Sequence, residues 1–190
     1  MSATNSLHYQ LCCEGAKWLR NKKNSEHWKN RWKYIWVEPG LVGENPDIWA
    51  FNGNETICVE VKTSRADFLA DAKKIWRQES YKNKIGMFRY YLSPQGIIMD
   101  SELPDGWGLL EWDGTSKRGN FNIKRIVEAT KMFEPTAGDL HIIGSLLRRE
   151  NLKEGIYNYR GQPTTIQPQT VNGEIIKRRN PEVLTSGFSY

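Results

Sequence analysis

The stretch from Pro46 to Lys62 constrains the fold most, because it encodes a β-hairpin with charged residues at fixed positions. Two runs rich in β-branched and aromatic residues flank Asn52-Gly53-Asn54, a turn sequence typical of hairpins. With Gly53 and Asn54 at the centre of the turn, Asp47 lies directly opposite Glu60. A slip of one or two residues would make this contact diagonal. Strand alternation predicts one face with Asp47, Glu60 and Lys62, and an apolar face with Ile48, Ala50, Ile57, Val59 and Val61.

Two carboxylates this close repel each other unless a cation lies between them. Carboxylate oxygens, a backbone carbonyl of Cys58 or Val61 and water are the ligands that Mg²⁺ prefers. Such a metal polarises a phosphoryl oxygen and lowers the pKa of a bound water. Lys62 could then orient or activate the water, or neutralise charge in the transition state.

An ordinary structural role is the alternative for these residues. Asp47 would cap the entrance to its strand, while Glu60 and Lys62 would pair on a solvated sheet face. Their predicted neighbours on this face are Trp49, Phe51 and Cys58, which favour a recessed site.

The first helix is predicted over residues 4–22, with Leu7, Leu11 and Trp18 on its apolar side. Glu14 is expected near the centre of this stripe, where a carboxylate must reach solvent, pair with a base or bind a cation. Lys17 or Arg20 as partner and a metal-ligand role both remain open at this point.

The charges of the chain are arranged in blocks. The 190 residues carry a net charge of +5, yet 38–60 and 91–113 each contain five acids and no base. An acidic centre with basic neighbours suits a cation site beside a polyanion, although chance clustering explains the charge pattern equally well. The second acidic block has no functional assignment. Trp28 and Trp32, among basic residues, either stack on bases or cover a core edge, and we favour the core edge.

Cysteine content and hydropathy limit the setting of the protein. Cys12, Cys13 and Cys58 cannot all pair, so a reducing, cytoplasmic location is the simplest interpretation. No Cys and His spacing typical of a structural zinc site is evident. No apolar run is long enough for a membrane span, and no secretory signal is visible.

The remaining elements predict an α/β fold of α+β layers, with helices covering a central mixed sheet. Helices are expected at 64–79 and 138–150, and strands at 33–37, 86–93, 106–112 and 121–128. We expect one domain over 1–152. Residues 153–190 are expected to form an extended or partly disordered tail, with a short strand at 174–176.

Pro46-Asp47 followed by Glu60-Val61-Lys62 resembles the PD-(D/E)XK nuclease motif. In that superfamily an acidic residue of the first helix often completes the metal site, and Glu14 matches that position. A closer resemblance, over roughly residues 5–115, is to MmcB-type DNA-repair nucleases. It rests on the run from Val59 to Lys74 and on Leu103-Pro104-Asp105-Gly106-Trp107-Gly108-Leu109-Leu110.

The resemblance implies a restriction-endonuclease-like core and Mg²⁺- or Mn²⁺-dependent cleavage of DNA, in repair or processing. The expected catalytic residues are Asp47, Glu60 and Lys62, and the expected metal ligands are Glu14, Asp47, Glu60 and the Val61 carbonyl. The Trp-rich basic stretch near 28–36 and the tail from 153 depart from the family pattern.

The helix after the catalytic strand offers candidate phosphate contacts. Ser64 caps its start beside free backbone amides, and Arg65 either binds phosphate or pairs with Asp67 or Asp71. Lys73, Lys74 and Arg77 are further candidates, unless they form a solvated helix face.

Three functions remain to be compared: a DNA nuclease, a non-catalytic DNA-binding module on the same fold, and a structural protein whose acids form salt bridges. A sequence-specific restriction-type enzyme is a variant of the first. DNA is the expected partner, no membrane is involved, and cutting both strands would call for a homodimer.

Overall fold

The computed structural model describes residues 6–21, 32–39, 44–78, 81, 84–115, 121–147 and 155–157. The predicted strand at 174–176, the segment around Trp28 and most of the predicted tail lie outside these residues. Within the described part, no helix combines the length and the apolar character that crossing a bilayer requires.

The fold is α/β, with a seven-stranded mixed sheet whose strand order is β6-β5-β4-β3-β2-β1-β7. The strands are β1 (Tyr34–Val37), β2 (Ile48–Phe51), β3 (Thr56–Val61), β4 (Phe88–Pro94), β5 (Gly108–Thr115), β6 (Phe121–Val127) and β7 (Gly155–Tyr157). Strands β3, β4 and β5 run parallel in the centre. Strand β2 is antiparallel to both β1 and β3, and β6 is antiparallel to β5. Strand β7 pairs in parallel with β1, so part of the predicted tail belongs to the sheet.

The helices cover both faces of the sheet, as predicted. Helix α1 (Leu7–Arg20) packs on the face formed by Ile48, Val59 and Leu92. Helices α2 (Arg65–Asp71) and α3 (Ala137–Leu147) lie on the opposite face, where Phe68 contacts Tyr91 and Ile142 packs near Trp49.

The second helix is shorter than predicted. It ends at Asp71, and a 3₁₀ helix at Ile75–Arg77 follows after a turn. At about 100° per residue, a continuous helix would point Arg77 roughly 120° away from Asp71. The break allows the Arg77 Nε to donate a hydrogen bond to the Asp71 carboxylate at 2.6 Å.

Trp32, from the basic segment rich in tryptophan, is a core residue. Trp32 is fully buried in the cluster beneath α1, which confirms the interpretation that it covers the core.

Candidate functional site

The hairpin register agrees with the sequence prediction. Ile48 pairs with Val59 and Trp49 with Cys58, so the next position along the ladder sets Asp47 opposite Glu60. The Glu60 and Lys62 residues are only 3% and 2% exposed, and the neighbouring Trp49 and Cys58 are fully buried. This face of the hairpin is therefore buried at Glu60 and Lys62, as its apolar neighbours indicated, and is not a solvated sheet face.

Asp47 lies at the rim of this site, where the hairpin meets α1. Its Oδ2 accepts a hydrogen bond from the Val61 backbone amide at 2.7 Å. Its Oδ1 lies 3.4 Å from His8 Nε2 on α1. This hydrogen bond raises the pKa of His8 despite the opposing effect of partial burial. No pattern in the sequence marks His8, because its contact joins a helix to a strand end far along the chain.

Glu60 and Lys62 extend inward from the rim. The Lys62 ammonium lies between Glu60 Oε2 at 3.4 Å and Asp71 Oδ1 at 3.0 Å. The other oxygen of Glu60 lies 3.2 Å from the Arg77 guanidinium. The carboxylate and the lysine of the motif are thus held by α2 and by the 3₁₀ helix that follows.

Asp71 is fully buried and is surrounded by donors. In addition to Lys62 and the Arg77 Nε, it accepts a hydrogen bond from the Tyr91 hydroxyl at 2.8 Å and pairs with Lys74 at 2.8 Å. The ion pairs with these cations outweigh the effect of burial and hold the pKa of Asp71 well below its usual range.

Glu44 closes the inner end of the same arrangement. Its oxygens pair with Arg77 and Arg89, and one of them accepts a hydrogen bond from the Ile85 amide at 2.9 Å. We call this set the buried ion network: Glu44, Glu60, Lys62, Asp71, Arg77 and Arg89. It contains three acids and three bases, so opposite charges balance where water is excluded.

Aromatic rings cover the guanidinium groups of the network. The Trp107 ring lies 4.8 Å from the Arg77 guanidinium and 4.5 Å from that of Arg89. Trp107 also stacks on Tyr91, with ring centroids 4.4 Å apart. These contacts keep both arginines in fixed positions beside a pocket of about 280 Å³.

The protonation states in the site follow from burial and from neighbouring charges. Burial raises the pKa of Glu60, and the nearby Asp47 carboxylate adds to the effect, although Arg77 and Lys62 oppose it. Burial lowers the pKa of Lys62, but Glu60 and Asp71 more than compensate, so its pKa lies above the ordinary value. Lys62 is therefore a cation at neutral pH, suited to charge neutralisation and not to proton abstraction.

Glu14 does not lie where the sequence predicted. The buried side of α1 consists of Leu11, Cys12, Gly15, Ala16 and Leu19, while Leu7 is exposed. At about 100° per residue, Glu14 lies roughly 130° from the centre of that side. Its carboxylate pairs with Lys17 at 2.6 Å, which is the ordinary ion pair considered as the alternative. The expectation that Glu14 occupies the apolar stripe is wrong.

The candidate phosphate contacts divide into two groups. Lys73 and Ser64 are exposed, and Ser64 caps α2 by accepting a hydrogen bond from the Asp67 amide. Lys74 is partly exposed and pairs with Asp71.

Arg65 and Arg77 are engaged elsewhere. Arg65 pairs with Glu102, which is neither of the two partners considered from the sequence. Arg77 has a side chain only 6% exposed and contacts three carboxylates of the buried ion network, so it is not part of an exposed basic face.

Part of the second acidic block has structural roles. Glu102 holds Arg65, Glu111 accepts a hydrogen bond from the Gly96 amide, and Asp113 pairs with Lys124. These acids contact the start of α2, the turn after β4 and strand β6.

Two groups of potential metal ligands occur among the described residues. Glu44, Cys58 and Glu60 form one, and His8, Cys12 and Glu38 form the other. The first lies inside the buried ion network, where Arg77 and Arg89 already neutralise its carboxylates. The second has no arginine or lysine in its described ion pairs. Neither group includes Glu14 or Asp47.

Comparisons with known proteins identify no family for this chain. No family model and no curated protein matches the chain. A search of solved structures finds the SPO1766 protein of unknown function from Silicibacter pomeroyi, with 21% sequence identity and a TM-score of 0.43. The match covers 58% of this chain and 68% of that one.

Proposed function

We propose that the protein is a metal-dependent nuclease that hydrolyses DNA phosphodiester bonds, with a restriction-endonuclease-like core and a role in DNA repair or processing. The observation that carries the proposal is the hairpin geometry. The Asp47 and Glu60 positions face each other across the β2–β3 ladder, and Lys62 follows on the same face at the end of β3.

The charges at this position suit a divalent cation. The Asp47 and Glu60 positions are opposite each other in the hairpin register, and the Asp47 charge raises the pKa of Glu60 further than burial alone. A cation between them would remove that repulsion. Each carboxylate offers about four lone-pair sites, so the contacts of Asp47 with Val61 and His8 leave ligand positions available.

The residues that would hold Mg²⁺ or Mn²⁺ are Asp47, Glu60 and the Val61 backbone carbonyl. Bound there, the metal supplies Lewis acidity for the phosphoryl oxygen and a more acidic water. Glu14, which pairs with Lys17, remains the predicted fourth ligand only if that ion pair opens.

Lys62 contributes a fixed positive charge beside the reacting phosphate. Its ammonium is held by Glu60 and Asp71, so it is positioned before substrate binds. As water attacks phosphorus and a sugar oxygen leaves, negative charge accumulates on the phosphoryl oxygens, and a preorganised cation stabilises it. Lys73, Lys74 and the cap at Ser64 would guide the backbone towards this position.

The test is cleavage of linear, nicked, branched and single-stranded DNA with Mg²⁺ or Mn²⁺. Asp47→Asn and Glu60→Gln are expected to reduce cleavage at least a hundredfold. Glu55→Gln is the matched control, since it changes a glutamate at the turn end of the same hairpin, where Glu55 contacts Asn52. Cleavage by Glu60→Gln at the wild-type rate would overturn the proposal.

A non-catalytic DNA-binding module on the same fold is the second candidate. The ion pairs of Lys62 favour it, because the Lys62 Nζ has two carboxylate partners within the protein, Glu60 and Asp71. Salt-sensitive DNA binding without cleavage of any of these DNAs would support this function over the first.

A further inference from the structure

Three potential metal ligands from two separate elements meet beside Asp47. His8 and Cys12 are one helical turn apart on α1, and Glu38 follows directly after β1. One ligand atom from each of the three lies within 4.8 Å of the other two. Such a mixed nitrogen, sulfur and oxygen set differs from the oxygen-only ligands of a magnesium site.

The distance between two of these ligands is close to that of a zinc site. Cys12 Sγ lies 3.7 Å from His8 Nδ1. With Zn–S of about 2.3 Å and Zn–N of about 2.0 Å, a tetrahedral pair lies about 3.5 Å apart. The side chains therefore need only a small adjustment to bind the same ion.

The second nitrogen of His8 provides independent support. Nε2 lies 3.4 Å from Asp47 Oδ1, and the other Asp47 oxygen is held by the Val61 amide at 2.7 Å. A carboxylate on one imidazole nitrogen directs the lone pair of the other, and zinc-binding histidines commonly have this arrangement. Here it directs Nδ1 towards Cys12.

The local charge also favours a dication. The Asp47 and Glu38 carboxylates place negative charge near the Cys12 sulfur, and a dication would compensate that charge. Glu38 adopts a left-handed backbone with φ of 47°, a conformation uncommon outside glycine, asparagine and aspartate. Its amide donates to the Asp47 carbonyl at 2.8 Å, which ties the loop to the hairpin.

We propose that His8, Cys12 and Glu38 bind one Zn²⁺ ion, with Asp47 positioning the imidazole from its second nitrogen. Three protein ligands leave a fourth position for water. The ion would fasten α1 to the loop after β1 and hold Asp47 at the rim of the candidate nuclease site. The zinc site does not depend on the nuclease proposal, since its ligand set excludes Glu60 and Lys62.

No zinc spacing is evident in the sequence because the proposed site takes only one His and one Cys from the same helix. The third ligand, Glu38, lies on another element, and no local motif links it to α1. A His and a Cys four residues apart were the available signal.

The experiment uses Co²⁺ as a spectroscopic probe of the full-length, metal-free protein, without DNA. A thiolate bound to Co²⁺ gives a charge-transfer band in the near ultraviolet. The expected result is one equivalent of Co²⁺ per chain with this band, its loss on adding stoichiometric Zn²⁺, and its persistence in excess Mg²⁺. Absence of the band in the wild-type protein would overturn the proposal.

Matched variants assign the ligands. Cys12→Ser is expected to abolish the band, while Cys13→Ser, which changes the adjacent cysteine outside the group, is expected to retain it. Because Cys12 is fully buried, Glu38→Gln at a partly exposed position is the second test, with Co²⁺ affinity at least tenfold weaker. Asp47→Asn should weaken binding by about 10- to 100-fold. A band retained in Cys12→Ser, or unchanged affinity in Glu38→Gln, would contradict the assignment.

The nuclease and zinc proposals can fail separately. DNA cleavage without a Co²⁺–thiolate band would leave the nuclease proposal in place and overturn the zinc site. A Cys12-dependent band in a protein that cuts none of the DNAs would support the zinc site and overturn the nuclease proposal.

Discussion

Arg77 connects more buried charge than any other described residue of the site. Its guanidinium contacts Glu44, Glu60 and Asp71, which come from three separate segments. Removing one partner from a buried ion pair weakens the compensation of the other charge, and here one substitution would take a partner from three carboxylates at once.

Arg77→Met is therefore expected to lower the free energy of unfolding by about 3–5 kcal/mol. Chemical denaturation followed by tryptophan fluorescence measures this change. Lys73→Met is the matched control on the same segment, since Lys73 is exposed, and it should change stability by less than about 0.5 kcal/mol. Equal stability of the two variants would show that the network contributes little.

The residues of the hairpin motif were predictable because strand alternation and one turn determine their relation. Asp47, Glu60 and Lys62 follow from local sequence, and so does their recess, from the apolar neighbours Trp49 and Cys58. The partners were not predictable. Glu44, Asp71, Arg77 and Arg89 reach the site from different segments, and their contacts depend on how the sheet and α2 pack.

At the scale of elements, the prediction was most accurate where a turn or a pairing register limited the choices. The β2–β3 hairpin agrees residue by residue. Helix α1 was placed correctly, but the centre of its buried side was not, because Leu7 is exposed and Trp18 is only partly buried against the core. The small residues Gly15 and Ala16 form the contact instead, since they allow α1 to approach the sheet closely.

Gly108 shows a similar close approach between strands. It begins β5 opposite Tyr90, whose ring would lie within 2.2 Å of an added Cβ atom, and the Ala129 amide nitrogen would lie at 2.7 Å. The Tyr90 hydroxyl accepts a hydrogen bond from that same amide at 3.0 Å and donates one to Glu128 at 2.8 Å. Two hydrogen bonds at its hydroxyl hold the ring in place, so it cannot move aside easily.

Gly108→Ala is therefore expected to destabilise the protein by about 3 kcal/mol, near the upper end of the cost of overpacking a core. The denaturation midpoint reports the change. Gly144→Ala on α3 is the control, because an added Cβ there meets no neighbour within 4 Å. That control should be neutral or gain up to about 1 kcal/mol from helix propensity. A Gly108→Ala protein as stable as the control would contradict the packing argument.

Asp139 links α3 to the sheet and was not identified from the sequence. It is fully buried and accepts hydrogen bonds from the Trp49 indole at 2.8 Å and the Gly86 amide at 3.0 Å, with Thr136 as a further partner. Donors from three segments thus converge on one carboxylate.

Asp139→Ala is expected to lower stability by about 3 kcal/mol, because it leaves buried donors without an acceptor. Thermal unfolding followed by circular dichroism measures the loss. Asp67→Ala, at the partly exposed start of α2, should cost less than half as much. A larger loss for Asp67→Ala than for Asp139→Ala would exclude the anchoring role.

For the whole molecule, the sequence predicted the layered α/β class because alternating strand and helix patterns leave few alternatives. It did not predict that the sheet continues to β7, since three residues within a polar segment give no periodic signal. Composition alone likewise left two interpretations of the charge blocks open, a cation site beside a polyanion and chance clustering, and it did not predict the ion-pair partners. In the folded chain, acids far apart in sequence pair with bases of other blocks, as Glu102 does with Arg65 and Glu44 with Arg89.

This pairing predicts how global stability depends on pH. The pKa of Asp71 lies below its ordinary value of 3.8, and Arg65 lowers that of Glu102 to about 2. On acidification the unfolded chain takes up protons at these carboxylates before the folded chain does. Their contribution is therefore complete above about pH 4.5 and decreases as the pH falls towards the folded-state values.

We expect that these two carboxylates change the urea midpoint of the protein little between about pH 7 and pH 5. Below about pH 4 their protonation should lower the midpoint steeply. Asp71→Asn should have a lower midpoint at neutral pH but a shallower decline in acid, because one of the low-pKa carboxylates no longer titrates. Asp67→Asn is the control and should parallel the wild-type profile. Parallel profiles of the wild type and Asp71→Asn down to about pH 3 would contradict this prediction. They would mean that protonation of Asp71 is not coupled to folding and that its ion pairs do not cause the loss of stability in acid.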